Sequence, residues 1–338
     1  MAVQPAVDTW PAIGVAVESQ RDVGKVQRLA AGAAARQGLP PARAELVEQL
    51  AVHVATFLVG QETVGRVVVR TISWGERRGV EIVVSAGGRT PFEVDGLRDL
   101  VDASDLVEVY TAPGKGTVML AQLWGGPQTE PADRRFLIGS VVDPIEGESV
   151  SGDAWAVEQR GGRIAALVTD GLGHGAKATE ASEAAVAVFR ARYREPVELI
   201  AAGVHDALRG TRGAAIALVE VDKDAGELRF CGIGNIVARV LLAGGAHELV
   251  SRYGIAGYQS PRIHTVTQSW SDDAMLVLHS DGLSSRWNVD AYPRLRLQHP
   301  QLAASTLMRD ATRAPDDAMV IAIGNVAEAT LERERATA

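Results

Sequence analysis

Asp170-Gly171-Leu172-Gly173-His174-Gly175 closes the apolar run Ile164–Thr169, and this stretch decides how the rest of the chain is read. A short apolar run bounded by a glycine-rich turn reads as a buried strand, here one that ends on an acidic residue. The pattern recurs. Ala274–His279 leads into Ser280-Asp281-Gly282-Leu283, and Asp316-Asp317 opens the run Ala318–Ile323. Ser151-Gly152-Asp153 stands directly before Ala154–Gln159, a further strand pattern. Carboxylates at the ends of buried strands sit on rigid supports and can converge at one sheet edge.

Each piece alone is weak, because Asp-Gly is a common turn signal and the plain turn is the favoured reading of any single instance. The set is more specific. Hard carboxylate oxygens without His or Cys partners at ligand spacing suit Mg2+ or Mn2+ rather than Zn2+. Two such ions roughly 3.5–4 Å apart can share a hydroxide and clamp a phosphoryl oxygen during in-line displacement.

Working outward, Phe136–Val142, Ala214–Val221, Leu228–Gly232 and Val237–Leu242 also read as strands. Helical stretches are expected near Ala176–Arg194, over Val197–Arg209 and after Gln301. Many strands with few long helices imply two packed antiparallel sheets flanked by helices. The tail after Val326 reads as frayed or a loose helix. Residues 125–134, with two prolines, two glycines and no large apolar side chain, read as a linker.

Before the linker, residues 12–124 form a second unit. Ala12–Glu18 reads as a strand and Asp22–Gln37 as a helix with Val23, Val26, Leu29, Ala30 and Ala33 on one face. Pro40 and Pro41 can open a second helix carrying Leu46, Leu50 and Val54. Strand patterns Val64–Trp74 and Val80–Ser85, a short helix near Glu93–Asp102, and strands Leu106–Thr111 and Thr117–Trp124 follow. The expectation is an α+β layer with helices on one face of a mixed sheet.

The 338 residues leave room for two domains, and 46% hydrophobic with 22% charged residues is a globular composition. A net charge of −8 without a cluster of Lys and Arg argues against nucleic acid. The single cysteine, Cys231, forms no internal disulfide. No leader pattern and no apolar run of membrane-spanning length is present, so the expected setting is the cytoplasm.

The order Gly152-Asp153, Asp170-Gly-x-Gly-His174-Gly, Ser280-Asp281-Gly282, Asp316-Asp317 resembles the metal-dependent protein phosphatase 2C superfamily. More closely it is similar to the SpoIIE-like branch and its short stressosome feedback phosphatases. Thr211-Arg212-Gly213-Ala214, Cys231-Gly232-Ile233-Gly234-Asn235, Ser284-Ser285-Arg286-Trp287 and Arg309-Asp310…Arg313 add to the match, which covers about residues 135–323. The resemblance implies an α-β-β-α sandwich over residues 135–326 that hydrolyses phosphoserine or phosphothreonine with two Mn2+ or Mg2+ ions. It implies Asp153 and Asp170 as ligands of both metals, the Gly171 carbonyl as an additional ligand, and Asp281 and Asp316 as ligands of one metal each or as supports of the pair through water. Asp317 competes with Asp316 for that place. His174 is either a general acid for the serine leaving group or a locally bonded helix-start residue, the two readings weighing about equally. His279 reads as core or metal support, Asn235 as structural, Cys231 as core.

The element order of residues 12–124, ending in Pro113-Gly114-Lys115-Gly116-Thr117, resembles the small anti-sigma serine kinases of the histidine-kinase-type ATPase fold, a smaller α/β sandwich. Their Glu-x-x-x-Asn is here Gln49-Leu50-Ala51-Val52-His53, and their Asp-x-Gly-x-Gly is Ser85-Ala86-Gly87-Gly88-Arg89. The glycine-rich lid that should follow is missing between Asp95 and Val107. The resemblance therefore implies a degenerate unit that binds no ATP and serves regulation, dimerisation or substrate docking. The implied substrate is a small phosphorylated regulator, an antagonist of the STAS type. A pseudophosphatase that only captures a phosphoprotein is the competing reading; four intact carboxylates speak against it. An active kinase is the poorest reading, its metal and adenine ligands being absent.

Overall fold

The helix pattern after Glu18 starts where Ser19 and Asp22 bond each other, the Asp22 carboxylate accepting from the Ser19 N–H (3.1 Å) and hydroxyl (2.7 Å). A computed structural model of the protein describes residues 13–60, 65–88, 98–126, 135–258, 263–313 and 315–326. The expected linker beyond residue 126, the start of the short helix before Arg98, and the tail after Val326 lie outside these residues. The chain divides into two compact units, residues before 132 with Ala291–Pro293 forming the first and the remainder to Leu331 the second.

The first unit runs β1 (Ile13–Val17), α1 (Gln20–Arg36), α2 (Pro41–Val59), β2 (Gly65–Trp74), β3 (Arg77–Gly87), α3 (Arg98–Asp102), β4 (Leu106–Ala112) and β5 (Gly116–Trp124). The sheet order is β1-β2-β3-β5-β4. Val26, Ala30 and Ala33 of α1 and Leu50, Val54 and Leu58 of α2 share a buried core with Val67, Ile82, Val84 and Met119. The expected mixed sheet is instead antiparallel at every pairing. The reason is the paired helices between β1 and β2. One crossover helix returns the chain for a parallel strand, whereas two reverse it once more.

The other face of that sheet holds a charged row. Arg70, Glu81 and Gln122 lie opposite one another across β2, β3 and β5. Glu81 accepts from Arg70 Nε at 2.6 Å and from Gln122 Nε2 at 2.8 Å, and all three are buried.

The second unit comprises β6 (Phe136–Asp143), β7 (Asp153–Arg160), β8 (Arg163–Gly171), α4 (Ala176–Arg192), α5 (Val197–Ala207), β9 (Ala214–Asp222), β10 (Glu227–Ile233), β11 (Val237–Leu242), β12 (Gly245–Leu249), β13 (Val266–Ser269), β14 (Met275–His279), α6 (Pro300–Ala311) and β15 (Ala318–Asn325). Two five-stranded antiparallel sheets, β13-β10-β9-β8-β7 and β12-β11-β14-β15-β6, face one another. Between them Val157, Ala166, Val168, Leu276, Leu278 and Ile321 form one core. Ala165 and Leu167, on the other face of β8, pack with Ala181 and Phe189 of α4 and Ile200 of α5. This is the expected α-β-β-α sandwich.

On the outer side of the second sheet α6 lies very close to β6. A Cβ on Gly139 would stand 2.2 Å from the Gln301 nitrogen, so only glycine admits the helix there. The Gln301 side chain accepts from the Ser140 N–H at 2.8 Å and donates to its carbonyl at 3.1 Å. Strands β12 and β13 escape the sequence pattern because they are short edge strands, Gly-Ala-His-Glu-Leu and Val-Thr-Gln-Ser, with mostly exposed side chains.

Candidate active site

On β8, Ala166 and Val168 face the inter-sheet core, and the two-residue period carries Asp170 to the same face at the strand end. Asp153 begins β7 and pairs directly with Asp170, so both carboxyls lie on one face as cross-strand neighbours. Like charges there repel. Burial, then the Asp281 and Asp316 charges, push the Asp170 carboxyl up to about 7. Burial and then Asp170 push Asp153 well above the usual carboxylate range.

The facing sheet supplies the next residues. Leu276 and Leu278 point into the core, and Ser280 continues that side just past β14. Its hydroxyl donates to Asp153 Oδ2 at 2.6 Å and accepts from the Met319 N–H at 3.0 Å. Ser280 thus ties β7 to β15 and aims Asp153. The other oxygen, Asp153 Oδ1, is buried and among the described residues has no hydrogen-bond partner. Such an acceptor is costly to bury unless a cation or donor answers it.

Asp281 follows Ser280, open to solvent at the sheet end, its carboxyl raised by partial desolvation and then by Asp316. Asn235 Nδ2 donates to Asp281 Oδ2 at 2.7 Å. The sequence marked Asn235 as structural; its amide in fact holds a candidate ligand. The signal was the Gly232-Ile233-Gly234 turn, which delivers the next side chain to the sheet end.

The adjacent aspartates separate clearly. Asp317 is buried, and its two oxygens accept the N–H groups of Ile145 (2.7 Å) and Gly152 (2.7 Å). It pins the loops leading to Asp153. Asp316 is exposed and, among the described residues, accepts only the Asp317 N–H, at 2.9 Å. Of the two, Asp316 has lone pairs to offer an ion.

Gly171 sits where a Cβ would lie 2.2 Å from the Ala178 carbonyl oxygen, which explains glycine after Asp170. His174 lies in the loop before α4, exposed, with Nδ1 3.1 Å from Glu148 Oε1. Its partner is 26 residues away, not the local helix start, and nothing in the sequence pointed to Glu148. His279 is fully buried, accepts from Trp287 Nε1 at 3.3 Å and is lowered by burial to about 4. It is core. Cys231 is also core, its thiol pushed by burial to about 11.

Among the described residues no three His, Cys, Asp or Glu side chains close into a ready cage for an ion. Mg2+ does not demand one, since it keeps several waters and binds through one or two carboxylates. The donor set, all oxygen, acidic and partly orphaned at Asp153, fits a hard dication. No described helix is long and apolar enough to cross a membrane.

In the first unit a cleft of about 640 Å3 runs along α2, lined by Gln49, His53, Phe57 and Leu100 among others. Gln49 Nε2 donates to Glu45 Oε1 at 3.0 Å.

Helix-flanked facing sheets with acidic residues gathered at one end define a phosphatase of the protein phosphatase 2C class. Residues 160–325 match the family model Stage II sporulation protein E (SpoIIE). The chain belongs to this SpoIIE-type branch of serine/threonine protein phosphatases. The phosphoserine phosphatase RsbX of Bacillus subtilis (strain 168) is 28% identical over 142 residues, 41% of this chain and 70% of that protein. A solved chain from the bacterial stressosome, a modular system adapted to control secondary messenger signalling, is 30% identical with a TM-score of 0.52. It covers 56% of this chain and 98% of its own. RsbX crystallised with magnesium shares the fold at 19% identity and a TM-score of 0.50, over 65% of this chain and all of its own.

Proposed function

We propose that the second unit removes phosphate from a serine or threonine of a small regulatory phosphoprotein, with Asp153, Asp170, Asp281 and Asp316 holding two Mn2+ or Mg2+ ions. The observation that carries this reading is the buried, unpartnered Asp153 Oδ1 opposite Asp170, within a group of mutually repelling carboxylates. When bound, such ions supply Lewis-acid activation of water and of a phosphoryl oxygen. The chain's own contribution is orientation. Ser280 aims Asp153, Asn235 aims Asp281, and Asp317 fixes the Ile145–Gly152 loop. The Gly171 carbonyl is the further ligand in this reading. His174, its ring oriented by Glu148, is the proton donor to the leaving serine.

Kinship with a phosphoserine phosphatase and with a stressosome chain supports a substrate in a partner switch, an antagonist of the STAS type. The first unit, residues 12–124, is in this reading a degenerate kinase-like domain joined by the 125–134 linker, regulatory or substrate-docking and without ATP. Gln49 is turned to Glu45, and His53 stands where such kinases place a metal-holding Asn. A cytoplasmic setting goes with that role. The test is intact-mass analysis of a phosphoserine STAS protein incubated with the full chain and Mn2+, beside calorimetric titration with ATP. Loss of the phosphate and no ATP heat are expected. An untouched phosphoprotein, or saturable ATP binding, contradicts the respective half.

A further inference from the structure

We propose that Arg212, Arg252 and Arg313, with Tyr253 and Tyr258, form a docking rim around the carboxylate site for an acidic polypeptide segment flanking the phosphorylated residue. The inference rests on the phosphatase reading and adds the chemistry of its substrate.

Each arginine is fixed by backbone next to one segment of the site. Arg212 lies in the turn before β9, where the Leu172 N–H donates to the Gly213 carbonyl at 3.0 Å. Its Nη1 stands 2.9 Å from where a Gly173 Cβ would be, so it lies over the loop that follows Asp170. The Arg252 N–H donates to the Gly232 carbonyl (2.8 Å) and its carbonyl accepts from Gly234 (2.8 Å), one residue from Asn235 and hence from Asp281. The Arg313 N–H donates to the Gly282 carbonyl at 2.7 Å, directly after Asp281. Three strand ends thus each bring a cation to the acidic end of the sandwich.

All three side chains are exposed, and among the described residues none is in an ion pair; Arg313 bonds the Ser284 hydroxyl at 3.4 Å, and its charge draws the neighbouring Asp281 carboxyl down. Other arginines of the same unit are neutralised by neighbours, as in Arg192–Glu195, Arg239–Glu248 and Arg296–Asp273. In a chain of net charge −8, cations outside ion pairs beside the site oppose the overall field. Glu148, the acidic side chain at the neighbouring loop, is engaged with His174. Between the arginines stand two tyrosines in the open, Tyr253 99% exposed and Tyr258 67% exposed, the latter beside Gly213. Tyr and Arg are the residues that carry most binding energy at protein interfaces. Rim cations beside an acidic partner act on encounter and register rather than on the chemical step.

The experiment compares two synthetic phosphoserine peptides of equal length, one flanked by glutamates and one by serines and glycines, with the full chain and Mn2+. The wild type should favour the acidic peptide at least roughly tenfold in kcat/KM, through KM, at low ionic strength. That preference should fall below about threefold in about 0.5 M salt. It should do the same in the triple variant Arg212→Gln/Arg252→Gln/Arg313→Gln, while Arg160→Gln at the far end of β7 retains it. Equal use of both peptides by the wild type, or an undiminished preference in the triple variant, overturns the proposal. If neither peptide is hydrolysed, the phosphatase reading fails instead. Fluorescence anisotropy of the same labelled peptides then still reads docking, with tighter binding of the acidic peptide, lost in the triple variant, as the expected result and no preference as the contrary one.

Discussion

At Asp170 the proposed metal-binding role and the stability of the metal-free chain pull apart. Its carboxyl titrates near 7 in the folded chain against 3.8 without perturbation, because burial and neighbouring aspartates disfavour its charge. Between those values the native state keeps a proton that the unfolded chain has released. Metal-free stability from this group is therefore greatest at the acid end and declines as pH rises towards 7. His279, lowered to about 4, acts oppositely, its contribution growing between pH 4 and 6.5. Above 6.5 only the carboxylate effect persists. Asp170→Asn should accordingly raise the metal-free Tm at pH 8 by at least about 2 °C, the shift expected of about 1 kcal/mol in a domain of this size. An unchanged or lower Tm in differential scanning calorimetry would refute the repulsion.

Ser280 supports Asp153 through one hydroxyl that also accepts from the β15 backbone. Ser280→Ala should weaken Mn2+ affinity by roughly 10–100-fold, as loss of an orienting partner typically does. Isothermal calorimetry on the variant checks this, and unaltered affinity would leave Ser280 a packing residue. The aspartates were readable in the sequence because each ends or opens an apolar run. Their partners were not. Asn235 lies 46 residues from Asp281, Ser280 127 from Asp153 and Glu148 26 from His174. Such contacts arise from strand pairing across two sheets, which leaves no local pattern.

At the scale of elements, periodicity found the long helices and central strands because burial on one or both faces writes itself into apolar spacing. It missed β12 and β13, edges with little to bury. It also set the first sheet as mixed, since spacing along a strand carries no information about its direction. Helix α6 shows a further device invisible to periodicity, a glutamine inside its buried face. Gln301 serves both the N–H and the carbonyl of Ser140 on edge strand β6. Gln301→Leu preserves volume but removes both bonds and should cost about 1–3 kcal/mol. Urea denaturation followed by Trp fluorescence measures it, and a neutral result would show that Ser140 is satisfied without Gln301.

For the molecule as a whole, the family emerges from two facing sheets that bring aspartates separated by well over a hundred residues to one end. The charge pattern there is unstable by itself, and in the proposed reading dications resolve it. Hydrolysis of an aryl phosphate by the full chain, with increasing Mn2+ or with chelator, tests this most directly when Asp170→Asn and Asp281→Asn are run beside the wild type. The account predicts turnover that requires Mn2+, vanishes with chelator and falls by more than the roughly 10–100-fold of an outer partner in both variants. Full activity in either variant with metal present, or wild-type turnover indifferent to chelator, would contradict it.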